Sequence, residues 1–202
     1  WREGHHNFVV VFLHGWLGQK EDWKAVCRDL EKEGISYVAL DLPGFEGPDA
    51  WEAAVLNSQS VVAEAVKATL DNLDVEKPIL AGYSAGGRVA MEIDQRYPEF
   101  CSALMVLSAN PGLRSTEERR VRWKEDQKMA KELRQVHEEK LKWLETWYSK
   151  KLWADLKSAD EGRVYTKMLE KRNENFCPAI AANSLLGLSV AHQADFRPAL
   201  RK

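Results

Sequence analysis

The stretch Pro78-Ile79-Leu80-Ala81-Gly82-Tyr83-Ser84-Ala85-Gly86-Gly87-Arg88-Val89-Ala90-Met91-Glu92-Ile93 decides the fold. Its first four residues form a short apolar run that reads as a buried strand, and Val89 to Ile93 reads as a helix start. Between them lies Gly82-x-Ser84-x-Gly86. A strand, this turn and a helix make a nucleophile elbow, in which a serine stands on a bend too tight for side chains at the neighbouring positions. The hydroxyl of such a serine is held clear of the sheet at a helix N-terminus. Ser84 is therefore the first candidate catalytic residue, with a structural serine in a tight turn as the plain alternative.

Outward from the elbow, apolar runs alternate with helical patterns. Phe8 to Leu13 is a continuous apolar, β-branched run, a strand buried on both faces. Gly18 to Glu33 reads as a helix with Trp23, Val26, Cys27 and Leu30 on one face, and Gly34 stops it. Ile35 to Leu40 is the second strand, closed by the turn Asp41-Leu42-Pro43-Gly44. Val55 to Leu73 is the next helix, Arg88 to Tyr97 belongs to the elbow helix, and Ser102 to Leu107 is the fourth strand. This order implies an α/β fold with right-handed crossovers and a mostly parallel sheet. Functional residues then belong at the C-terminal strand ends.

After Pro111-Gly112 the pattern changes. Ser115 to about Tyr148 is charged and helical, with Trp123, Met129, Leu133, Val136, Leu141, Trp143, Leu144 and Trp147 interspersed, and no strand run returns before Ala199. We divide the chain into an α/β core (1–112), a helical cap over the sheet edge where Ser84 emerges (113–190) and the start of a return to the core (191–202). With 202 residues this is one domain carrying an inserted lobe. A net charge of -2 gives no basic field for nucleic acid or an anionic membrane, and no apolar run is long enough to span a bilayer. No signal-peptide pattern precedes the first strand, so a cytoplasmic placement is expected. The three cysteines, Cys27, Cys101 and Cys177, are an odd number at wide spacing and read as reduced thiols. Neither a metal-ligand cluster nor a dinucleotide fingerprint is present, so no cofactor is expected.

Taken together, His14-Gly15-Trp16-Leu17-Gly18 after the first strand, Asp41-Leu42-Pro43-Gly44 after the second and the elbow after the third resemble the α/β-hydrolase superfamily. Within it the chain is more similar to the 2-succinyl-6-hydroxy-2,4-cyclohexadiene-1-carboxylate synthase family of menaquinone biosynthesis. That closer likeness rests on Gly82 to Met91, Asn110-Pro111-Gly112-Leu113, the Arg119 and Arg122 pair, Trp147-Tyr148, Lys171-Arg172-Asn173, and Leu188-Ser189 through Asp195-Phe196-Arg197-Pro198. The resemblance implies an α/β-hydrolase fold and a lyase that eliminates pyruvate from an enolpyruvyl-bearing cyclohexene carboxylate. Proton abstraction by a serine, histidine and aspartate set would start the reaction, with no acyl-enzyme. The implied partner is a small anionic polycarboxylate substrate.

Ser84 would then be the base, activated by a histidine. The backbone N–H groups of Ala85, which follows the serine, and Trp16, which follows His14-Gly15, would form the oxyanion hole. Arg88 lies four residues beyond Ser84, so both share one helix face and the guanidinium can reach the space above the hydroxyl. By the family match Arg122 and Arg172 would point down from the cap toward further carboxylates, with Arg119 and Arg120 as near alternatives to Arg122. Tyr83 and Trp147 are expected substrate contacts, or else packing residues. His14 is assigned a loop-fixing role, and His192, His137, His5 and His6 are read as non-catalytic.

The family likeness also predicts two further strands after Pro198, followed by the aspartate and the histidine. We therefore expect the sequence to be part of a longer protein. Phe45-Glu46-Gly47 departs from the family pattern of a histidine and a small residue. A serine esterase or thioesterase, and a non-catalytic module of the same fold, are the competing functional readings.

Overall fold

Every residue of β1 (Val9–Leu13) is apolar, and the strand lies inside a four-stranded parallel sheet in the order β2-β1-β3-β4. The partners are β2 (Ser36–Leu40), β3 (Ile79–Tyr83) and β4 (Ala103–Leu107). The computed structural model describes residues 8–43, 58–198 and 200. The expected helix start at Val55 to Asn57, Gly44 of the second turn, Phe45 to Gly47, and His5 and His6 lie outside the described residues. Strand order reverses about β1, whose neighbours are β2 on one side and β3 on the other. The loops after β1 and β3 thus flank the switch point, where open α/β sheets bind ligands.

Side-chain alternation along β1 builds two cores. Val11 and Leu13 join Val38 and Leu80 on one face. That face is covered by Val62, Val66 and Leu70 of α2 (Gln59–Asn72) and by Val89 and Ile93 of α3 (Ala85–Arg96). Val10, Phe12 and Ala81 pack on the other face against Cys27 of α1 (Lys24–Lys32), with Trp23 and Leu30. The Phe12 and Trp23 rings stack at 4.7 Å. The fourth residue expected on that helix face, Val26, is instead 44 % exposed. The helix proper begins only at Lys24, after a 3₁₀ turn over Lys20–Trp23.

Other boundaries also move for local reasons. Helix α2 starts after Ser58, whose side chain accepts from the Val61 N–H as an N-cap. Strand β3 runs on through Gly82 and Tyr83, because each still pairs with a neighbour: Gly82 with Leu13 and Val106, Tyr83 with Leu107. Helix α3 starts at Ala85, not at Arg88, so Gly86 and Gly87 are helical despite their low propensity. Packing decides this. A Cβ on Gly86 would stand 2.2 Å from the Leu13 carbonyl oxygen and 2.5 Å from that of His14. A Cβ on Gly82 would lie 2.4 Å from the Gly86 carbonyl oxygen.

After β4 the chain is helical. The run expected from Ser115 to Tyr148 is split into α4 (Thr116–Leu133) and α5 (Lys140–Tyr148) by a turn over 134–139. Ser115 and Glu118 open α4 with a reciprocal capping box, at 3.0 and 2.9 Å. The turn folds α5 back so that Leu133, Leu144 and Tyr148 share one core with α7 (Arg163–Asn175) and α8 (Pro178–Gly187). The short α6 (Ala154–Ser158) lies between α5 and α7. Trp16 and Leu17, from the loop after β1, belong to this same helical core, which seats the helices on that loop. Beyond α8 the chain returns to the β4 loop: the Phe196 N–H donates to Pro111 O at 2.8 Å, and the Gln193 amide to Asn110 O at 2.9 Å. No helix among the described residues is long and apolar enough to cross a membrane.

The fit of α3 against the end of β1 gives a direct expectation. The Gly86→Ala variant should lose about 3 kcal/mol or more in urea unfolding, because the added methyl meets backbone that cannot move aside. A loss below about 1 kcal/mol would show that the helix does not sit this close to β1.

Candidate active site

Ser84 has φ 51° and ψ -110°, a conformation that side-chain-bearing residues rarely adopt. Such a residue costs about 1–3 kcal/mol and persists only when its surroundings fix it. Here they do. The Ser84 N–H donates to Leu107 O at 2.9 Å, and its carbonyl accepts from the Arg88 N–H at 3.2 Å. Leu80, Val89, Ala90 and Ile93, on either side of the bend, are fully buried, and each large apolar side chain contributes about 1.5–3 kcal/mol. Burial thus outweighs the strain. The site a Cβ of Gly15 would take lies 3.4 Å from the Ser84 Cβ and 2.9 Å from the Tyr83 ring, so the loop after β1 crosses directly over the elbow.

The two backbone donors expected beside Ser84 sit on these elements. Ala85 is the first residue of α3, so its N–H has no carbonyl within the helix. Trp16 lies in the crossing loop, anchored through its indole N–H to Ala181 O at 3.0 Å. Among the described residues the Trp16 N–H has no main-chain acceptor.

His14 fixes that loop. It is 1 % exposed, its Nδ1 donates to Gly15 O at 2.8 Å, and its Nε2 accepts from the Leu42 N–H at 3.0 Å. The ring is therefore the neutral tautomer protonated at Nδ1, tying the loop after β1 to the loop after β2. Burial holds its pKa below the ordinary 6.5, against a weaker opposing pull from Gly15 and Asp41.

A cleft of about 670 Å³ opens at the switch point, lined by Gly15, Trp16, Tyr83 and Ser108 from the core and by Tyr148, Met168 and Arg172 from the helices, among others. Tyr83 and Arg172 thus reach the cleft wall. Arg172 is not free there. Its guanidinium donates to the Asp22 carboxylate, with the Tyr148 hydroxyl beside it. Burial would lower its pKa, but Asp22 and Tyr148 more than compensate and hold it above the ordinary value. Trp147, expected as a substrate contact or else a packing residue, makes packing contacts with its neighbours while staying half-buried. Its ring meets Trp16 edge-on at 4.9 Å, stacks on Trp143 at 6.1 Å, and carries the Lys150 ammonium at 3.9 Å. The helical spacing that puts Trp143 and Trp147 on one face turns both toward Trp16.

Arg88 and Arg122 converge elsewhere, beneath the helices. Arg88 lies one turn after Ser84 but turns toward the end of α8, where its Nη2 donates to Leu188 O. Its Nε is buried without a partner. Burial, and the charge of Arg122 nearby, push the guanidinium down to about 10, with Asp126 the only opposing influence. Arg122 Nε donates to Asp126 Oδ1 at 2.8 Å, and Asp126, 1 % exposed, also accepts from Ser189 Oγ at 2.6 Å. Arg119 and Arg120 do not compete for this place. Arg119 straps α4 to the carbonyls of Leu113, Ala191 and Gln193, and Arg120 pairs with Glu117.

Sequence reasoning assigned no role to Asp22, Asp126, Tyr148 or Ser189. The four-residue spacing of Arg122 and Asp126 was a visible signal for one pair. Asp22 and Arg172 are 150 residues apart, and no local pattern marks them.

The chain belongs to the alpha/beta hydrolase fold family, whose match spans residues 9–201. Among its relatives is the 2-succinyl-6-hydroxy-2,4-cyclohexadiene-1-carboxylate synthase of Klebsiella pneumoniae, 32 % identical over 192 residues, which cover 95 % of this chain and 71 % of the relative. The structure of MenH from S. aureus superposes with a TM-score of 0.80 at 22 % identity, over 99 % of this chain and 74 % of that one. A thermophilic esterase from Thermogutta terrifontis superposes with a TM-score of 0.70 at 20 % identity, over 96 % and 66 %. At these identities the two structures show the fold alone.

The buried neutral imidazole sets a pH dependence. Below about 6.5 the unfolded chain takes up a proton at His14 that the native state resists. The contribution is therefore complete above that value and declines as pH falls. Unfolding free energy should drop between pH 7.5 and 5.5, with a slope approaching about 1.4 kcal/mol per pH unit. In His14→Gln that component should vanish. An unchanged slope in the variant would place the titration elsewhere.

Proposed function

We propose that this protein is a carbon–oxygen lyase. It converts 2-succinyl-5-enolpyruvyl-6-hydroxy-3-cyclohexene-1-carboxylate into 2-succinyl-6-hydroxy-2,4-cyclohexadiene-1-carboxylate and pyruvate, a step of menaquinone biosynthesis. The observation that carries the reading is the proximity of two guanidinium groups near one buried carboxylate: Arg122 is paired to Asp126, and Arg88, one turn from a strained elbow serine, is close enough to feel both charges. Two cations against one anion leave a positive charge in a partly dry site, and the buried Arg88 Nε has no acceptor. A substrate with several carboxylates supplies what is missing, and guanidinium is suited to receive it. A simple ester would not.

Comparing substrate with product fixes the bond changes. A 3-ene bearing a leaving group at C5 becomes a 2,4-diene. The proton therefore leaves C2, beside the succinyl carbonyl, the double bond shifts from C3–C4, and the C5–O bond breaks. The leaving group departs as the enolate of pyruvate, which takes up a proton to become the free keto acid. Ser84 Oγ receives the C2 proton as its own hydroxyl proton passes to the activating histidine that the family likeness implies. Charge developing on the succinyl oxygen is met by the N–H groups of Ala85 and Trp16, each worth about 3 kcal/mol when aimed at such an oxygen. Because the serine acts on a proton, no covalent acyl intermediate forms.

Pyruvate release, followed by a coupled dehydrogenase assay, tests the reading. Ser84→Ala should lower the rate by about 10²–10⁴-fold. Arg122→Ala should weaken binding of the diene product by about 10–100-fold, the worth of a hydrogen bond to a charged group. Undiminished pyruvate release by Ser84→Ala would contradict the role given to the serine. A burst of acyl-enzyme with simple esters and no pyruvate would make the protein an esterase.

A further inference from the structure

We infer that Ser189 is a positioning residue for the carboxylate-binding arginines, acting through Asp126 on Arg122. The inference rests on the functional reading above, in which Arg122 receives a substrate carboxylate. Its evidence is a set of directed hydrogen bonds. Ser189, 3 % exposed, accepts from the Ala191 N–H at 3.1 Å and donates to Asp126 Oδ2 at 2.6 Å. The amide hydrogen occupies the acceptor side of the hydroxyl, so the proton has one place to go. Asp126 is thereby fixed through one oxygen and offers the other, Oδ1, to Arg122.

The geometry at Arg122 matters. It meets Asp126 through Nε at 2.8 Å, and among the described residues its two terminal nitrogens have no acceptor. The side chain is 39 % exposed and would otherwise sample many rotamers. Held by Nε, it presents its open fork in one direction. The neighbouring carbonyl of the same turn, Leu188 O, takes the Nη2 of Arg88. One short turn after α8 therefore orients both guanidinium groups, one through a main-chain oxygen and one through the Ser189–Asp126 relay. A site of this kind needs its supporting contacts as much as its ligands.

Isothermal titration of the diene product, 2-succinyl-6-hydroxy-2,4-cyclohexadiene-1-carboxylate, onto the whole chain tests the inference. Ser189→Ala should raise Kd by about fivefold to tenfold, with melting temperature close to that of the wild type, and Ser189→Thr, which keeps the hydroxyl, should restore affinity. In an Arg122→Ala background the same Ser189→Ala change should have no further effect on Kd. A Kd within twofold of wild type for Ser189→Ala, with Arg122→Ala clearly weakened, overturns the positioning role and leaves the functional reading standing. Unaltered binding by Arg122→Ala overturns both. Should Ser189→Ala not fold, Ser189→Cys keeps the volume with a poor donor, and a Kd within twofold of wild type in that variant equally overturns the role.

Discussion

The contact of Gly86 with the carbonyl groups of Leu13 and His14 governs the rest of this structure. It brings the first turn of α3 against the end of β1 at a distance no side chain would permit. Ser84 is then forced into the bend between β3 and α3, the loop from Gly15 to Gln19 is laid over it, and the helices seat on Trp16 and Leu17 of that loop. His14 closes the arrangement from below by bridging the loops after β1 and β2. The strain at the serine is small beside the apolar burial around it, which is why the fold can hold this residue in an unfavourable conformation.

Charge is distributed with a second logic. Arg172, at the cleft wall, is already neutralised by Asp22, so it latches the helical region to the turn after β1. Arg122 pairs with Asp126, Arg88 lies close enough to feel both charges, and the group is left with a positive excess. A like charge beside a buried guanidinium is costly unless an anion offsets it. This contrast separates an arginine whose charge is already matched from a pair with unmatched charge, a distinction that the number of basic residues on the helices would not reveal.

Much of the fold was legible in the sequence because its determinants are local. The apolar β-branched run of β1, the Gly-x-Ser-x-Gly turn and the apolar/charged alternation of α4 each report their own geometry. What escaped was set by distant partners. The elbow helix begins three residues earlier than its composition suggests, since the demand on Gly86 comes from β1. Val26 faces water although its helical spacing suggested the core face, and the Trp147 ring packs against Trp16 from 131 residues away. In the site, Ser84, Tyr83 and the backbone positions at Trp16 and Ala85 could be placed from the motif. The partners of the arginines could not, because Leu188 lies 100 residues from Arg88 and Ser189 lies 63 from Asp126. Only the Arg122–Asp126 pair, one helical turn apart, could have been read from spacing.

A crystal structure with the diene product bound tests the central claim most directly. The account places one carboxylate of the ligand within hydrogen-bonding reach of Arg88 Nε and the terminal nitrogens of Arg122, with ring carbon C2 over Ser84 Oγ. A product bound only among the lysines at the mouth of the cleft, with Arg122 still paired to Asp126 alone and Arg88 to Leu188 O alone, would contradict it.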